Sequence, residues 1–323
     1  MKRIFPLFLI LAVIQPSWAQ IHLRKAQKLK RWHIPAANYS GITPLGNNRY
    51  ALVSDKEDED GFYEISVRQD SLTGKVIDAS LIAFHGNGLP PRDAEGIAFC
   101  SQRGTLFISA EDDQRILEYD LQGRRTGHEL NVPPIFALEN IYPNYGFEAL
   151  CHDALSNTFW ATTENTLRTD GLPSTQTPAK SVTLRLQQFS AEGEALAQYP
   201  YQTDTPLLRG SKEMAAHGVV ALTALSDGSL LVLEREILVT RKKLGSYALC
   251  RLYRWQPGAK KQMQAEWRTK LNLGRRNLAN FEGLCPGIRL ADGRQTILLI
   301  SDSQGGYGNR LFRLKDYIKC VVM

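Results

Sequence analysis

Acidic side chains recur at two places in a repeated pattern along this sequence. Three of them precede short apolar strands and five follow such strands. They are Glu95, Glu148 and Glu282 in the first set, and Asp55, Glu111, Glu164, Glu234 and Asp302 in the second. Like-charged carboxylates that lie close together raise one another's pKa unless a cation offsets them. If the fold brings these residues together, the pattern therefore predicts a site for a divalent cation.

The chemistry of these side chains indicates which ion and which roles to expect. Hard oxygen ligands without clustered His or Cys suit calcium or magnesium better than zinc or copper, and calcium is the expected ion. The predicted ligands are Asp55, Glu95, Glu111, Glu148, Glu282 and Asp302. A carboxylate that holds no ion could act as general base, and Glu164 and Glu234 are the candidates. For any single acid, a structural role in a turn or an ion pair is the alternative.

Basic residues flank the acidic positions. Guanidinium groups match the geometry of phosphate and carboxylate, so Arg92, Arg115, Arg235 and Arg310 are predicted to bind an anionic substrate. Pairing with nearby carboxylates is the structural alternative for each arginine. His217 is added to this substrate-binding set because it lies beside the fourth repeat. The sequence contains no G-x-S-x-G, S-x-x-K or H-E-x-x-H motif, so familiar hydrolase signatures are missing.

The elements that must position these residues form an internal repeat. Five segments share an apolar strand, a turn, a second apolar strand and then an acidic residue. They begin at Ser40, Glu95, Glu148, Val220 and Glu282. Short runs rich in Val, Ile, Leu, Phe and Tyr, divided by turns such as Asp227-Gly228, indicate further strands in each unit. The repeat predicts an all-β chain, a β-propeller of about five four-stranded blades, with six blades as the alternative.

The last repeat indicates how the ring closes. After Asp302, residues 310–314 form the one further clear strand before the tail, while residues 22–32 precede the first repeat. We expect the N-terminal segment to complete the last blade, because an open sheet would leave exposed edges. The first strand of each propeller blade lies nearest the axis. Acids at equivalent positions of different blades should therefore meet at the central channel.

The N-terminus has the features of a secretory signal. In residues 1–19, Lys2 and Arg3 precede a short apolar run, and Ala19 ends a small-residue cleavage site. We expect cleavage after Ala19 and a periplasmic or secreted protein, in which residues 20–323 form one propeller domain. No later stretch reaches the roughly 18 apolar residues of a membrane-spanning helix. No integral membrane segment is expected after the signal is removed.

Composition limits the other classes of partner. The 323 residues are 43% hydrophobic and 22% charged, which is the range of globular proteins. Because the 39 Lys and Arg residues are largely scattered, nucleic-acid binding is not expected. The five cysteines match no zinc pattern, and their odd number leaves at least one thiol unpaired. We interpret the cysteines as small buried apolar residues. The sequence indicates no oligomeric state.

Several motifs of the repeat carry a family resemblance. They are Tyr39-Ser40-Gly41-Ile42, Asp93-Ala94-Glu95-Gly96-Ile97, Gly146-Phe147-Glu148-Ala149-Leu150, Leu231-Val232-Leu233-Glu234-Arg235, Asn280-Phe281-Glu282-Gly283-Leu284 and Leu299-Ile300-Ser301-Asp302. With these motifs the sequence resembles the bacterial phytase-like family described as having esterase-like activity. The resemblance implies an exported β-propeller with a carboxylate-lined site. It also implies a hydrolase of phosphate or carboxylic esters, acting on a small anionic or ester substrate.

Three functional hypotheses follow from these features. In the first, channel carboxylates hold divalent ions that polarise the ester oxygen and activate water. In the second, the protein is a non-catalytic propeller that binds a ligand or a protein and contains structural calcium. The third is a sugar-lactone hydrolase or lyase on a similar propeller with one calcium. The fold alone cannot choose among them, because propellers carry out all of these roles.

Overall fold

The structure is a computed structural model, which describes residues 21–208, 212–274, 277–303 and 314–323. Its strands form five antiparallel sheets, which are the blades of a β-propeller. The helices of the described part are three short 3₁₀ segments: Leu29–Trp32, Pro134–Phe136 and Leu138–Asn140. The predicted all-β propeller is confirmed, and its five blades exclude the six-blade alternative.

Blades 1 to 4 each consist of four consecutive strands. Two short strands, β1 (His22–Leu23) and β2 (Gln27–Lys28), precede them in the chain. Blade 1 contains β3 (Tyr39–Gly46), β4 (Arg49–Ser54), β5 (Gly61–Gln69) and β6 (Val76–Gly86). Blade 2 contains β7 (Ala94–Cys100), β8 (Thr105–Ala110), β9 (Ile116–Tyr119) and β10 (Arg125–Leu130). Blade 3 contains β11 (Phe147–Asp153), β12 (Thr158–Thr163), β13 (Thr183–Ser190) and β14 (Ala195–Gln202). Blade 4 contains β15 (Lys212–Ala224), β16 (Leu230–Thr240), β17 (Ser246–Trp255) and β18 (Gln262–Leu271).

Blade 5 joins the two ends of the chain. Its strands from the C-terminal part are β19 (Asn280–Arg289), β20 (Gln295–Asp302) and β21 (Tyr317–Val322). Both β1 and β2 pair with β21, where His22 lies opposite Val322 and Gln27 lies opposite Ile318. The predicted closure of the ring by the N-terminal segment is therefore confirmed. Because β21 pairs with both β20 and the N-terminus, closure depends on the last residues of the chain.

The third strand of blade 5 differs from the sequence-based expectation. Most of the strand predicted at residues 310–314 lies outside the described residues, and Leu314 itself is not in a strand. The strand next to β20 is β21, in the segment that the prediction treated as a tail. All six residues of β21 are buried, including the polar Lys319. Burial of this apolar segment between β20 and the N-terminus explains why it is part of the blade.

Hydrophobic side chains pack between neighbouring blades. Between blades 2 and 3, the rings of Phe107 and Phe159 lie 4.4 Å apart beside the buried Phe147. Between blades 3 and 4, Trp160 and Trp255 pack edge to face at 6.2 Å. Such aromatic pairs contribute about 0.5–1.5 kcal/mol beyond the area that they bury. The five-bladed ring is therefore held together by separate cores between its blades.

The cysteines belong to this interior. All five are buried and none forms a disulfide, as expected for small apolar residues. Burial raises the pKa of the Cys250 thiol to about 12, so this thiol stays protonated.

The innermost strand of each blade contains a β-bulge at the same place. In blade 2, Ala94 pairs with Ala110 and Gly96 pairs with Ser109, which leaves Glu95 as the extra residue. The equivalent extra residues of the other blades are Ser40, Glu148, Val220 and Glu282. A bulge bends its strand locally and re-aims the extra side chain. Three of the predicted acids therefore project from bulges at one level of the ring.

Glycine next to the bulge lets the innermost strands approach one another. A Cβ atom on Gly96 would lie 2.5 Å from Ser109 Oγ and 2.8 Å from Leu150 Cβ of the next blade. Real Cβ atoms do not make such contacts, so another residue here would push blades 2 and 3 apart. The glycine thus keeps the bulged acids of these two blades close together.

Candidate functional site

The bulged acids open into a cavity of about 360 Å³ at one end of the central passage. We call this cavity the acidic mouth. Its charged lining residues are Asp55, Asp93, Glu95, Glu111, Glu148, Glu164, Glu282, Lys56 and Arg235. Tyr145 and Asn280 add polar groups to the same wall. Seven carboxylates thus share the described wall with two cationic side chains.

The second strands add the other acids and one arginine. In each blade, one residue of the second strand pairs with the residue that comes just before the bulge. The next residue along the second strand is Asp55 in blade 1, Glu111 in blade 2 and Glu164 in blade 3. In blade 4 this residue is Arg235, because Glu234 pairs with Val219 one position earlier. The sequence analysis grouped Glu234 with the acids that end the second strands, but Glu234 lies one position before the residue equivalent to Asp55. A shift of one residue along a strand turns the side chain to the opposite face.

Glu234 is buried in a separate polar cluster. Tyr201 Oη donates a hydrogen bond to Glu234 Oε1 at 2.7 Å, and the Asp204 backbone N–H donates to Oε2 at 3.0 Å. Lys261 forms an ion pair with the same carboxylate. Glu234 does not line the acidic mouth, so the structure does not bring it together with Glu164.

Arg235 balances part of the negative charge of the mouth. Its Nη2 donates a hydrogen bond to Glu282 Oε1 at 3.0 Å and lies 3.1 Å from Glu164 Oε1, an ion contact without hydrogen-bond geometry. Asn280 Nδ2 also donates to Glu282 Oε1, at 2.7 Å. Burial opposes the charged form of Arg235, but the carboxylates around it outweigh burial and raise its pKa. Arg235 is therefore a fixed positive charge beside Glu164 and Glu282.

The acids across the mouth from Arg235 form a second group. Carboxylate oxygens of Asp55, Asp93 and Glu95 lie within 4.8 Å of one another. Lys56 is the cationic neighbour of this group, with Nζ 2.9 Å from Asp55 Oδ2 and 3.2 Å from Asp93 Oδ1. The sequence analysis did not select Asp93 as a site residue, although it belongs to the quoted motif around Glu95. Asp93 has a φ of 57°, and this turn places its carboxylate beside that of Asp55.

Crowding changes how the acids ionise. Burial, and then the charges of neighbouring carboxylates, raise the pKa values of Glu95, Glu148 and Glu282 well above the usual range. Burial is also the first cause that raises the pKa of Glu111 to about 7. Not all of these acids can therefore be ionised together at neutral pH without a further cation. The mouth must bind either protons or a cation.

Two more of the predicted site residues, Asp302 and His217, lie behind the mouth. Asp302 is fully buried, and Asn280 Nδ2 lies 3.4 Å from its Oδ2. His217 is also buried, and its Nδ1 lies 2.9 Å from Ser174 Oγ. Burial lowers the pKa of His217 to about 3, so its imidazole is neutral. Neither residue lines the described part of the cavity.

The structure does not bring the remaining predicted arginines to this site. Arg92 is buried and forms two hydrogen bonds with the Asp113 carboxylate, at 2.7 and 2.8 Å. Arg115 is exposed and pairs with Glu129 at 2.7 Å. Arg310 lies outside the described residues. For Arg92 and Arg115, the structural alternative of pairing with nearby carboxylates is what the structure shows.

The fold and the mouth define a five-bladed β-propeller with a carboxylate-lined central site. The chain belongs to the phytase-like family, whose description is esterase-like activity of phytase. The model of this family matches residues 34–304, which include all five first strands and the acids of the mouth. A search of curated proteins finds no match.

Solved structures with a similar fold differ widely in sequence. Streptogramin B lyase is 13% identical, with 96% of this chain and 100% of that chain covered and a TM-score of 0.41. An endo-1,4-beta-xylanase from Bacteroides thetaiotaomicron is 14% identical, with 88% and 90% covered and a TM-score of 0.43. A periplasmic gluconolactonase from Pseudomonas aeruginosa is 12% identical, with 86% and 84% covered and a TM-score of 0.37. Similarity at this level is too low to transfer an activity.

Proposed function

We propose that this protein is a hydrolase of phosphate or carboxylic esters whose acidic mouth holds a divalent cation, with calcium as the ion. The observation that carries the proposal is the excess of seven carboxylates over two cationic side chains in one cavity. Such a cluster needs a further cation if its members are to be ionised at neutral pH. The description of the family, esterase-like activity of phytase, supports an ester as the substrate.

The donor atoms fit a hard divalent cation. All the carboxylates of the wall offer oxygen, and none of the described residues that line the mouth is a histidine or cysteine. The buried oxygens Asp55 Oδ1 and Asn280 Oδ1 have no hydrogen-bond partner. Calcium binds six to eight oxygens from carboxylates, amides and water in flexible geometry. When bound, such an ion polarises an ester oxygen and lowers the pKa of water.

The residues of the mouth have distinct tasks in this proposal. Arg235 attracts the anionic part of the substrate, and its buried Nε has no acceptor in the described structure. Glu164 is the proposed general base, because it lies in the mouth whereas Glu234 does not. Glu111, with a pKa of about 7, can hold or release a proton at its carboxylate near neutral pH.

An ester panel tests the hydrolase. Nitrophenyl phosphate and nitrophenyl acetate are assayed with calcium, with magnesium and with EDTA, using the native chain and Glu148→Gln. We expect turnover that EDTA abolishes and that Glu148→Gln reduces by at least about 100-fold, without a loss of melting temperature. Glu129→Gln, which changes an acid outside the mouth, is the matched control. Absence of turnover on every ester contradicts the proposal, and a loss of stability alone in Glu148→Gln indicates a structural ion in a non-catalytic propeller.

We also propose that the protein is exported to the periplasm or secreted. The support is the signal-like sequence of residues 1–19, which lie outside the described residues. None of the described helices is long and apolar enough to cross a membrane. Sequencing of the N-terminus of protein recovered from the periplasm or the medium should begin at Gln20. Recovery of the chain only from the cytoplasm, with its N-terminus uncleaved, contradicts this proposal.

A further inference from the structure

The two halves of the acidic mouth differ in how their negative charge is balanced. On one side, Arg235 is buried and contacts both Glu164 and Glu282. On the other side, the cation beside Asp55 and Asp93 is Lys56, whose side chain is 59% exposed. A buried arginine fixed by two carboxylates cannot leave without a large cost. The ammonium of a lysine that is more than half exposed can move into solvent at a lower cost, because water solvates the charge that leaves the pair.

The oxygens around Lys56 Nζ resemble the ligands of a hard cation. The ammonium lies 2.9 Å from Asp55 Oδ2, 3.2 Å from Asp93 Oδ1 and 3.4 Å from the Asp55 carbonyl oxygen. An oxygen of the Glu95 carboxylate belongs to the same group, within 4.8 Å of the ligand atoms of both aspartates. Carboxylate and carbonyl oxygens are the protein ligands that calcium uses. The ammonium of Lys56 thus marks a position that a cation prefers.

A second observation indicates that this group has unused capacity for a ligand. Asp55 Oδ1 is buried and has no hydrogen-bond partner, and only 9% of the Asp55 side chain is exposed. A buried carboxylate oxygen without a donor is costly, because water no longer solvates it. Lys56 contacts the other oxygen of this carboxylate, so the lysine alone does not satisfy the group.

We propose that Asp55, Asp93 and Glu95 form a divalent-cation site, and that Lys56 is an internal cation that the metal displaces. Binding exchanges the ammonium for a doubly charged ion, and Lys56 moves into solvent. The lysine balances the aspartates when no metal is bound and competes with the metal for them. This inference deepens the proposed function, on which it rests for the divalent cation, by naming the ligands and a residue that tunes the affinity.

Calcium titration tests the competition directly. Calcium chloride is added to the metal-stripped native chain, Lys56→Met, Lys56→Arg and Asp93→Asn in a calorimeter. We expect Lys56→Met to bind calcium about five times more tightly, which corresponds to removal of a competing ion pair of about 1 kcal/mol. Lys56→Arg keeps a displaceable cation and should stay close to the native chain. Asp93→Asn should weaken binding at least about tenfold, since the charge of the ligands tunes calcium affinity over orders of magnitude.

Melting temperatures give a second readout that does not depend on turnover. In EDTA, Lys56→Met should melt below the native chain, because it leaves the aspartates without their cation. The increase in melting temperature on adding calcium should be larger in Lys56→Met than in the native chain, since tighter binding stabilises the folded state more. Lys75→Met, which removes an exposed lysine away from the mouth, is the matched control and should change neither quantity.

The outcomes separate this inference from the proposed function. Unchanged or weaker calcium binding in Lys56→Met overturns the inference, and so does native-like binding in Asp93→Asn. Failure of the native chain and of Lys56→Met to bind calcium also overturns it. Calcium binding with the expected order of affinities, but without turnover of any ester, supports the inference and contradicts the hydrolase.

Discussion

The two ends of the central passage are similar in size and different in chemistry. The acidic mouth has a volume of about 360 Å³, and the cavity at the other end has about 300 Å³. We call the second cavity the opposite mouth. It is lined by aliphatic, aromatic and small polar side chains, and Asp153 is its one carboxylate among the described residues. The Asp153 carboxylate already accepts hydrogen bonds from Ser156 Oγ and the Leu155 backbone N–H.

The same five strands produce both mouths. In blade 2 the bulge presents Glu95 to the acidic mouth, and Ile97, two residues later, lines the opposite mouth. Glu148 and Leu150 have the same relationship in blade 3. Between the mouths the passage narrows to a space of about 10 Å³, which holds about one water molecule. The two mouths are therefore separate compartments, and positions only two residues apart on the same innermost strands face different chemistry.

Removal of Arg235 should have the largest effect on the acidic mouth. Arg235→Leu leaves Glu164 and Glu282 buried without their cation, and we expect a loss of about 3–5 kcal/mol in the free energy of unfolding at pH 7. Urea unfolding in EDTA measures this change. Burial raises the pKa of both glutamates, so the loss should shrink as the pH falls and they take up protons. A small loss, or one that does not depend on pH, would show that Arg235 does not balance these acids.

The acidic mouth should also make stability depend on pH. The pKa of Glu111 rises from 4.5 to about 7 on folding, so the folded state binds its proton more tightly than the unfolded chain. The resulting stability is present below about pH 4.5 and is lost as the pH rises to about 7. It amounts to about 3 kcal/mol for Glu111 alone, because each pKa unit corresponds to about 1.4 kcal/mol.

Urea unfolding of the metal-free chain between pH 4.5 and 8 measures this slope. Glu111→Gln should flatten the curve, and bound calcium should flatten it further by stabilising the ionised carboxylates. Glu129→Gln changes an acid that is paired with Arg115 outside the mouth and should leave the slope unchanged. Stability that rises over this pH range in the metal-free chain would contradict the raised pKa values.

Sequence patterns predicted the propeller and the meeting of Glu95, Glu148 and Glu282 at one cavity. Strand alternation and turn residues depend on local physics, and the repeat itself implies a ring. The absence of Glu234 from the described lining of the mouth was harder to predict, because a shift of one residue along a strand turns a side chain to the opposite face. The pairing of Val219 with Glu234 is defined by backbone hydrogen bonds, which no sequence pattern shows.

The ion-pair partners of long side chains could not be predicted from the sequence either. Arg92 and Arg115 are close in sequence to acidic residues, but the ion pairs that they form depend on how strands lie in blade 2. Asp93 was missed because of its backbone conformation. Its role depends on a left-handed turn with a φ of 57°, which places it beside Asp55 from another blade. Aspartate tolerates this conformation, but the residue type alone does not require it.

The constriction between the mouths can be tested separately from the charges. Leu222 is 1% exposed and lines both the narrow space and the opposite mouth. Leu222→Ala should cost about 2 kcal/mol in urea unfolding, at the low end for such a change because the residue borders a cavity. Calcium affinity should not change, since the acids keep their positions. Weaker calcium binding in this variant would show that the two compartments are coupled.

The smallest effect is expected at the rim of the opposite mouth. Leu155 lines this mouth, and its 68% exposure means that Leu155→Ser removes little buried area. We expect the free energy of unfolding to change by no more than about 0.5 kcal/mol, which is typical of surface substitutions. Because the constriction separates Leu155 from the acids, calcium affinity and the KM for esters should match those of the native chain. A raised KM with unchanged calcium affinity would instead assign substrate binding to the opposite mouth, and the two ends of the passage would then share one function.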